Sequence, residues 1–519
     1  MEWYFRRGSP TEHGRHPFWE ECQPVYLPFS LWDQGMLIKP TRRDIVIEPG
    51  ARFATLEERL AVGKALRKRV PRATHAAWAP SKDRPDPLEL LSTQNKRRVA
   101  ALVPIRWGRM LASPFTFMRG SALVMAHDLS TTPNTGIRVQ ACGDCHMLNF
   151  GVYATPERNL VFDINDFDET LPAPWEWDVK RLAASIEHAG RDLNMPRAAC
   201  EAAVRDMSRG YRSYMSRFAE MTALEVWYVK LNANSIGRRF ARTAATRKRV
   251  AANIQRAQKR TMESAFMKMT SVVNGQRRFI DHPPEIFHPQ THAHGHPLFN
   301  EIFSNYLKTM RDDLRALLGR YRAVDFVFKV VGVGSVGTRC GVILMMANDG
   351  DALLLQVKEA SPSVLDVFAG KSKYQNHGQR IVVGQRLMQA SSDMFLGWTS
   401  LKGRDYYVRQ LRDMKWAADP STFSRQRLGE YATACGATLA RAHARSTDPA
   451  LISGYLGKKG TFDDAMVEFA RLYADQGERD FEMLEAAVRK RRLKAAPNSA
   501  SALAIATKKA ISQAKKAFE

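Results

Sequence analysis

The sequence predicts an α+β protein of two lobes, one helical and one β-rich, and three observations carry that prediction. Helical periodicity dominates Trp177 to about Gln276 and resumes from Arg425, whereas strand-like runs fill 325–358 and 394–412. A glycine-spaced turn, Gly332, Gly334 and Gly337, opens the strand-rich block. A tight group of carboxylates, Asp163, Asp166, Asp168 and Glu169, stands in a chain whose formal charge is 78 − 53 = +25.

Along the chain, residues 1–54 are rich in Pro, Gly and aromatics without a period and predict an irregular arm. Thr55 to Arg69 suits an amphipathic helix, and another is predicted through Leu88 to Leu111 after the Pro-rich 79-APSKDRPDP-87. Residues 136–150 and 158–164 alternate as strands do. Region 55–322 is expected to form the larger helical lobe and 323–424 the β-rich lobe. Region 425–485 supplies helices completing the larger lobe, and 486–519 a basic tail. With 519 residues, 45% hydrophobic and 25% charged, the composition is globular, and disorder is excluded as the general state. Six cysteines do not make a disulfide scaffold. No uncharged apolar run reaches ~18 residues, and the N-terminus lacks a signal-peptide core, so a cytoplasmic location without membrane contact is expected.

The first chemically informative segment is 141-ACGDCHMLNFGVYATPERNLVFDINDFDET-170. Phosphoryl transfer needs a carboxylate to orient and deprotonate an acceptor hydroxyl. It also needs an amide oxygen and a second carboxylate to hold Mg²⁺ on nucleotide phosphates. Asp144, five residues before Asn149, supplies the base and the amide. Asp163, fourteen residues further on, ends an apolar run and is the preferred metal carboxylate. Asp166, in the tripeptide DFD, remains the alternative. The same residue types also favour plain solvated turns, and the crowding of acids in a basic chain is the argument against that bland reading.

The second segment is 329-KVVGVGSVGTRCGVILMMANDGDALLLQVKEA-360. In a dinucleotide-binding loop the glycines would lead into a helix. Here they lead into Cys340–Ala347, a turn at 348-NDGD-351 and a second strand from Ala352. A β-hairpin lid over phosphates fits this order, with Gly332, Gly334, Ser335 and Gly337 at the phosphates and Lys358 ending the following strand. The segment 405-DYYVRQL-411 is placed to hold an adenine. The helix-like 376–390 offers no Glu to pair with Lys358, leaving that partner open.

The loop around Asp144 resembles the HGDxHxxN loop of aminoglycoside and choline phosphotransferases at Gly143, Asp144, His146 and Asn149, with Cys142 replacing the leading His. The resemblance implies a protein-kinase-like fold and activity, with ATP and Mg²⁺ as cofactors, His146 at the catalytic loop and a small-molecule hydroxyl or amine as acceptor. The glycine loop follows the catalytic loop instead of preceding it, which implies circular permutation with a helical insertion. Over roughly 60–485 the chain also resembles a largely bacterial family known as domain of unknown function 2252, through GDCHMLNFG, FDINDFDET, PWEWDVKRLAAS, VGVGSVGTRC, YYVRQLRDMK and LARAHARS. That family name implies no activity.

Arg106, Arg109 and Arg119 precede the catalytic segment. Each can clamp a phosphate or carboxylate, or equally pair with the acidic cluster. Arg119, followed by Gly120, is the one chosen for function. Cys142, Cys145 and His146 spell a haem-attachment pattern, set aside for want of an export signal. A half zinc site or redox pair is kept as a minor alternative. The histidines at 282, 288, 292, 294 and 296 are expected in a solvated loop. The basic stretch 238–260 suits phosphate contact but holds too few aromatics for base stacking, so nucleic acid is possible and not favoured. Two further readings stay open: a nucleotide-binding pseudokinase, and a nucleotidyl transferase.

Overall fold

In the computed structural model, residues 54–496 are described, apart from 234–239, 241–242, 284, 289–296, 331 and 412–413. The chain divides into an N-terminal unit, Met1–Glu58, and a second unit, Arg59–Glu519. Only 54–58 of the first are described, so the arm expected over 1–54 lies almost wholly outside the described residues, as does the basic tail beyond 496.

The second unit is a mixture of helices and short sheets. The carboxylate-bearing segment builds four short strands, β1 (Arg138–Ala141), β2 (Phe150–Ala154), β3 (Leu160–Ile164) and β4 (Leu171–Pro174). β1 pairs antiparallel with β4, and β2 with β3. The strand expected over 136–150 therefore breaks after Ala141. Gly143, at φ +82°, turns the chain where a Cβ would lie 2.3 Å from the Glu169 carbonyl oxygen, and Asp144–Asn149 becomes a loop. Helices Trp175–Asp192, Arg197–Ala219, Arg425–Ala444 and Thr461–Arg489 enclose these strands around the largest apolar core.

The long helical region predicted to Gln276 is interrupted. Thr270–Val273 (β5) and Gln276–Phe279 (β6) form a hairpin through Asn274 and Gly275, both at positive φ. Asn-Gly between two short runs was the overlooked hairpin signal. The helix expected through Leu88–Leu111 is also two helices, Pro87–Asn95 and Val103–Met110. Pro104 can start a helix but not continue one, and between them Val99 N–H donates to the Gly337 carbonyl at 2.8 Å.

The β-rich part is a six-stranded antiparallel sheet. Its strands are β7 (Ile286–Phe287), β8 (Arg322–Lys329), β9 (Cys340–Met346), β10 (Ala352–Ala360), β11 (Gly397–Leu401) and β12 (Arg404–Gln410), in the order β11-β12-β10-β9-β8-β7. A helix, His377–Met388, lies between β10 and β11 in sequence. Tyr306, Leu314, Ile343, Leu355 and Val408 pack one face, while Phe266, Val327, Val342 and Leu354 pack the other. Burial on both faces explains why β9 and β10 read as continuous apolar runs. A last short strand, β13 (Trp416–Ala417), crosses back to pair with β2. No helix of the described residues is long and apolar enough to cross a membrane.

Candidate active site

β10 is the central strand that carries the site from the sheet side. Lys358, buried at 3% exposure, forms an ion pair with Asp168, which lies in the turn after β3. Register places Lys358 opposite Tyr407 of β12, whose hydroxyl donates to Asp168 Oδ1 at 2.8 Å. Burial alone would lower the lysine, but Asp168, then Tyr407 and Asp166, outweigh it and raise the ammonium well above its ordinary value. Burial likewise opposes ionisation of Asp168, yet Lys358 and Tyr407 leave it below the usual carboxylate range. Asp166 goes the other way, raised by burial and by its neighbour Asp168. The helix expected to supply a Glu for the lysine does something else. Its Arg380 donates to the carbonyls of Thr170, Asp168 and Ser361 at 2.6–2.8 Å, fixing the backbone of the acidic turn. Glu359 belongs to the other side of β10, paired with Arg339 and Arg404.

The glycine loop lies over this pair. Ser335 Oγ donates to Asp168 Oδ2 at 3.3 Å, and Gly332 and Gly337 take φ of +65° and +87°. The loop is tied down: Arg98 donates to the Val336 carbonyl at 2.6 Å, Arg109 to that of Gly332, and Val336 is fully buried. Arg109 is thus an anchor of the loop. Arg106 satisfies Asn95, Gln94 and the Gly120 carbonyl, bonds that fix the entry of the chain into the site.

Asp144, in the loop after β1, is partly open, its side chain 21% exposed. Arg181 of the Trp175–Asp192 helix grips Asp144 Oδ1 through two nitrogens at 2.6 and 2.8 Å and donates to the Met118 carbonyl at 2.9 Å. Asn149 donates its amide N–H to the Asp144 carbonyl at 2.5 Å, leaving its Oδ1 to accept elsewhere. Cys142 Sγ donates to the Asp166 carbonyl at 3.3 Å, and Asp178 accepts from the Cys142 and Gly143 N–H groups at 2.6 and 3.0 Å. His146 is buried, and burial lowers its pKa to about 3, so it is neutral. Cys142 and Cys145 are free buried thiols, both raised, and among the described residues no group of three or more His, Cys, Asp and Glu is arranged to hold a metal.

Asp163 stands apart from this constellation. At 1% exposure it is ion-paired to the fully buried Arg441 at 2.6 Å, accepts from Ala390 N–H at 2.9 Å and from the Tyr153 hydroxyl at 3.4 Å. The structure therefore brings together Asp144, Asn149, Asp166, the glycine loop and Lys358, and turns Asp163 into the core. Sequence reasoning missed roles for Asp168, Tyr407 and Arg181. Asp168 was visible as one more acid in the cluster, but nothing in spacing distinguished it. Of the five histidines singled out, 292, 294 and 296 lie outside the described residues. His288 joins Asp281 at 2.7 Å and Asp325 at 3.1 Å instead of lying free in solvent. The basic stretch, where described, is a helix Ala244–Gln258 that buries Ile254 and Ala257 and exposes Arg247, Lys248, Arg249 and Arg256.

An α+β chain with an acidic turn clasped by a strand lysine beneath a glycine loop is the class defined so far. The chain belongs to the family described as "uncharacterized protein conserved in bacteria (DUF2252)", whose model matches residues 98–487. No curated protein and no solved structure matches it.

Proposed function

We propose that the protein is a Mg²⁺- and ATP-dependent phosphotransferase acting on a hydroxyl or amine of a small molecule. The observation that carries this reading is the meeting of Lys358 with the D-F-D turn under the glycine loop. The five long strands run β8-β9-β10-β12-β11 across the sheet, a helix separates β10 from β11, and the lysine sits on the third strand. That is the arrangement expected of a kinase-like small lobe, and β2–β3 following the Asp144 loop suits the matching large-lobe hairpin. The order along the chain is then circularly permuted, with β5–β6 and the flanking helices as insertion.

In this reading Lys358 and the N–H groups of 332–337 hold the nucleotide phosphates. Asp166 replaces Asp163 as the metal carboxylate, because Asp163 is saturated by Arg441 and Ala390 whereas Asp166 lies in the Asp168 turn, beside the Cys142 loop, and helps raise Lys358. Asn149 Oδ1 with Asp166 makes a two-ligand set, which suits Mg²⁺, an ion that completes its shell with phosphate and water. When bound, the metal neutralises charge on the phosphates. Asp144, oriented by Arg181, accepts the acceptor's proton as its oxygen or nitrogen attacks the γ-phosphorus and the bond to the β–γ bridging oxygen breaks, releasing ADP. A nucleotide thermal-shift series with and without Mg²⁺ tests the reading. ATP at a hundredfold excess over Kd should stabilise by about 2.7 kcal/mol, and absence of a shift with every nucleotide sinks it. Product mass separates phosphoryl from adenylyl transfer. One observation favours a second reading, a nucleotide-binding module without turnover: Asp144 is already engaged by Arg181 and Asp168 by Lys358. That module would show the shift and no product.

A further inference from the structure

Enclosed arginines in this molecule are paired as a rule, because a buried guanidinium without partners is costly. Arg181 meets Asp144 and the Met118 carbonyl, Arg441 meets Asp163, and Arg380 meets three carbonyls. Arg119 breaks the pattern. It lies in the last turn of the Pro114–Gly120 helix; Arg106, Arg380 and Arg441 also leave Nε without a partner but bond through other nitrogens, whereas among the described residues none of the Arg119 nitrogens is hydrogen-bonded or ion-paired. Its place is nonetheless well determined. The Met118 carbonyl before it is bridged through Arg181 to Asp144, and the Gly120 carbonyl after it is held by Arg106 at 2.7 Å. Gly334 of the glycine loop lies against its backbone, where a Cβ would make an ordinary contact at 3.5 Å with the Arg119 carbonyl oxygen.

Two carboxylates act on Arg119 electrostatically, Asp144 and then Asp166, and they oppose the effect of burial without either touching the guanidinium. Arg119 in turn helps keep His146 neutral. The geometry is an enclosed Nε without a partner among the described residues, one position from a carbonyl that Arg181 bridges to Asp144 and in contact range of the glycine loop at Gly334.

We propose that Arg119 is an anion-binding residue whose ligand is a tetrahedral phosphoryl group seated beside its guanidinium, on the side of Asp144 and the glycine loop. A planar guanidinium matches two phosphoryl oxygens at once. The inference rests on the reading above only for the source of that group, which is either the γ-phosphoryl in transit or a phosphate already on the acceptor.

The test uses the full chain with inorganic phosphate as probe, titrated calorimetrically with and without Mg·ADP. Wild type should bind phosphate. Arg119→Gln should weaken that binding about tenfold or more while its melting temperature and Mg·ADP affinity stay unchanged, and Arg119→Lys should recover part of it. Phosphate displaced by ATP but not by ADP supports the site and identifies the γ-phosphoryl. Phosphate bound alongside ATP supports it and identifies the acceptor's phosphate. Phosphate binding absent in wild type, or undiminished in Arg119→Gln, overturns the proposal. If no nucleotide binds but phosphate still binds through Arg119, the phosphotransferase reading fails and the anion site stands.

Discussion

Asp163 and Asp168 are five residues apart and live in opposite surroundings. Asp163 lies on β3 at 1% exposure, joined to Arg441 at 0% and to the Ala390 N–H. Asp168 lies in the turn beyond, its side chain 24% exposed, held by Lys358, Tyr407 and Ser335 from the sheet. Both are ion-paired, but only the second pairing is reachable by a ligand. The first joins a strand to a helix inside one core. The second joins the helix-enclosed segment to the sheet, so its partners are the groups that would grip phosphates. An acidic cluster therefore divides into a structural half and a half available for chemistry, and solvent access marks the division.

The difference can be broken or sharpened experimentally. The largest effect is expected on the open side: Asp144→Asn should lower phosphoryl transfer roughly 10²–10⁴-fold, measured with the acceptor once found or as ATP turnover, with Mg·ATP affinity retained. Equal turnover by the variant would remove Asp144 as the base. On the closed side, Arg441→Ala should cost roughly 3–5 kcal/mol of stability by stranding Asp163, read by denaturant titration. Asp166→Asn should leave stability nearly unchanged. If the two variants melted alike, the division between the halves would be lost. Next, Lys358→Met should reduce nucleotide affinity by about tenfold or more, scored by titration, with a smaller loss of stability than Arg441→Ala because Asp168 keeps the Tyr407 hydroxyl and some solvent.

The smallest effect is a pH dependence. Burial, tempered by the Val364 N–H and Arg380, raises Glu169 to about 7 from an ordinary value near 4.5. Between those limits the folded chain holds a proton that the unfolded chain has released, so this residue makes stability fall as pH rises through the window. Glu169→Gln should remove that slope, worth ~1–3 °C of melting temperature between pH 5 and 7.5. The buried histidines His75, His146 and His188, each lowered to about 3, work in the opposite sense. Below about 6.5 the unfolded chain takes up protons that they refuse, so stability falls as pH falls. A melting-temperature profile without an acid-side decline would contradict their neutral burial.

How legible this was depended on distance along the chain. β9, the 348–351 turn and β10 were readable because a hairpin is local and its residues meet across a short turn. The helix over 376–390 and those from Arg425 were readable by period. The chemistry of Asp144–Asn149 was readable because Gly143, Asp144 and Asn149 act within a few positions of each other, although the strand expected over 136–150 ran through them and in fact ends at Ala141. The partner of Lys358 was sought on the nearest helix and was found 190 residues earlier, at Asp168. Arg441, 278 residues from Asp163, had no local signal at all, and with the Ala390 N–H it is the reason the proposed mechanism uses Asp166 in place of the better-spaced aspartate.

The amino-acid sequence by itself determined the α+β mixture, the glycine-hairpin-lysine block, the acidic island in a basic chain, and membership of a bacterial family. Each depends on periodicity or on residues close together in the chain. Only the tertiary structure decided which carboxylates are consumed as internal ion pairs, what holds Lys358, and that the largely enclosed Arg119 has no partner among the described residues. Those outcomes follow from burial and from long-range pairing of charge, and an ion pair leaves no trace in spacing when its partners lie hundreds of residues apart.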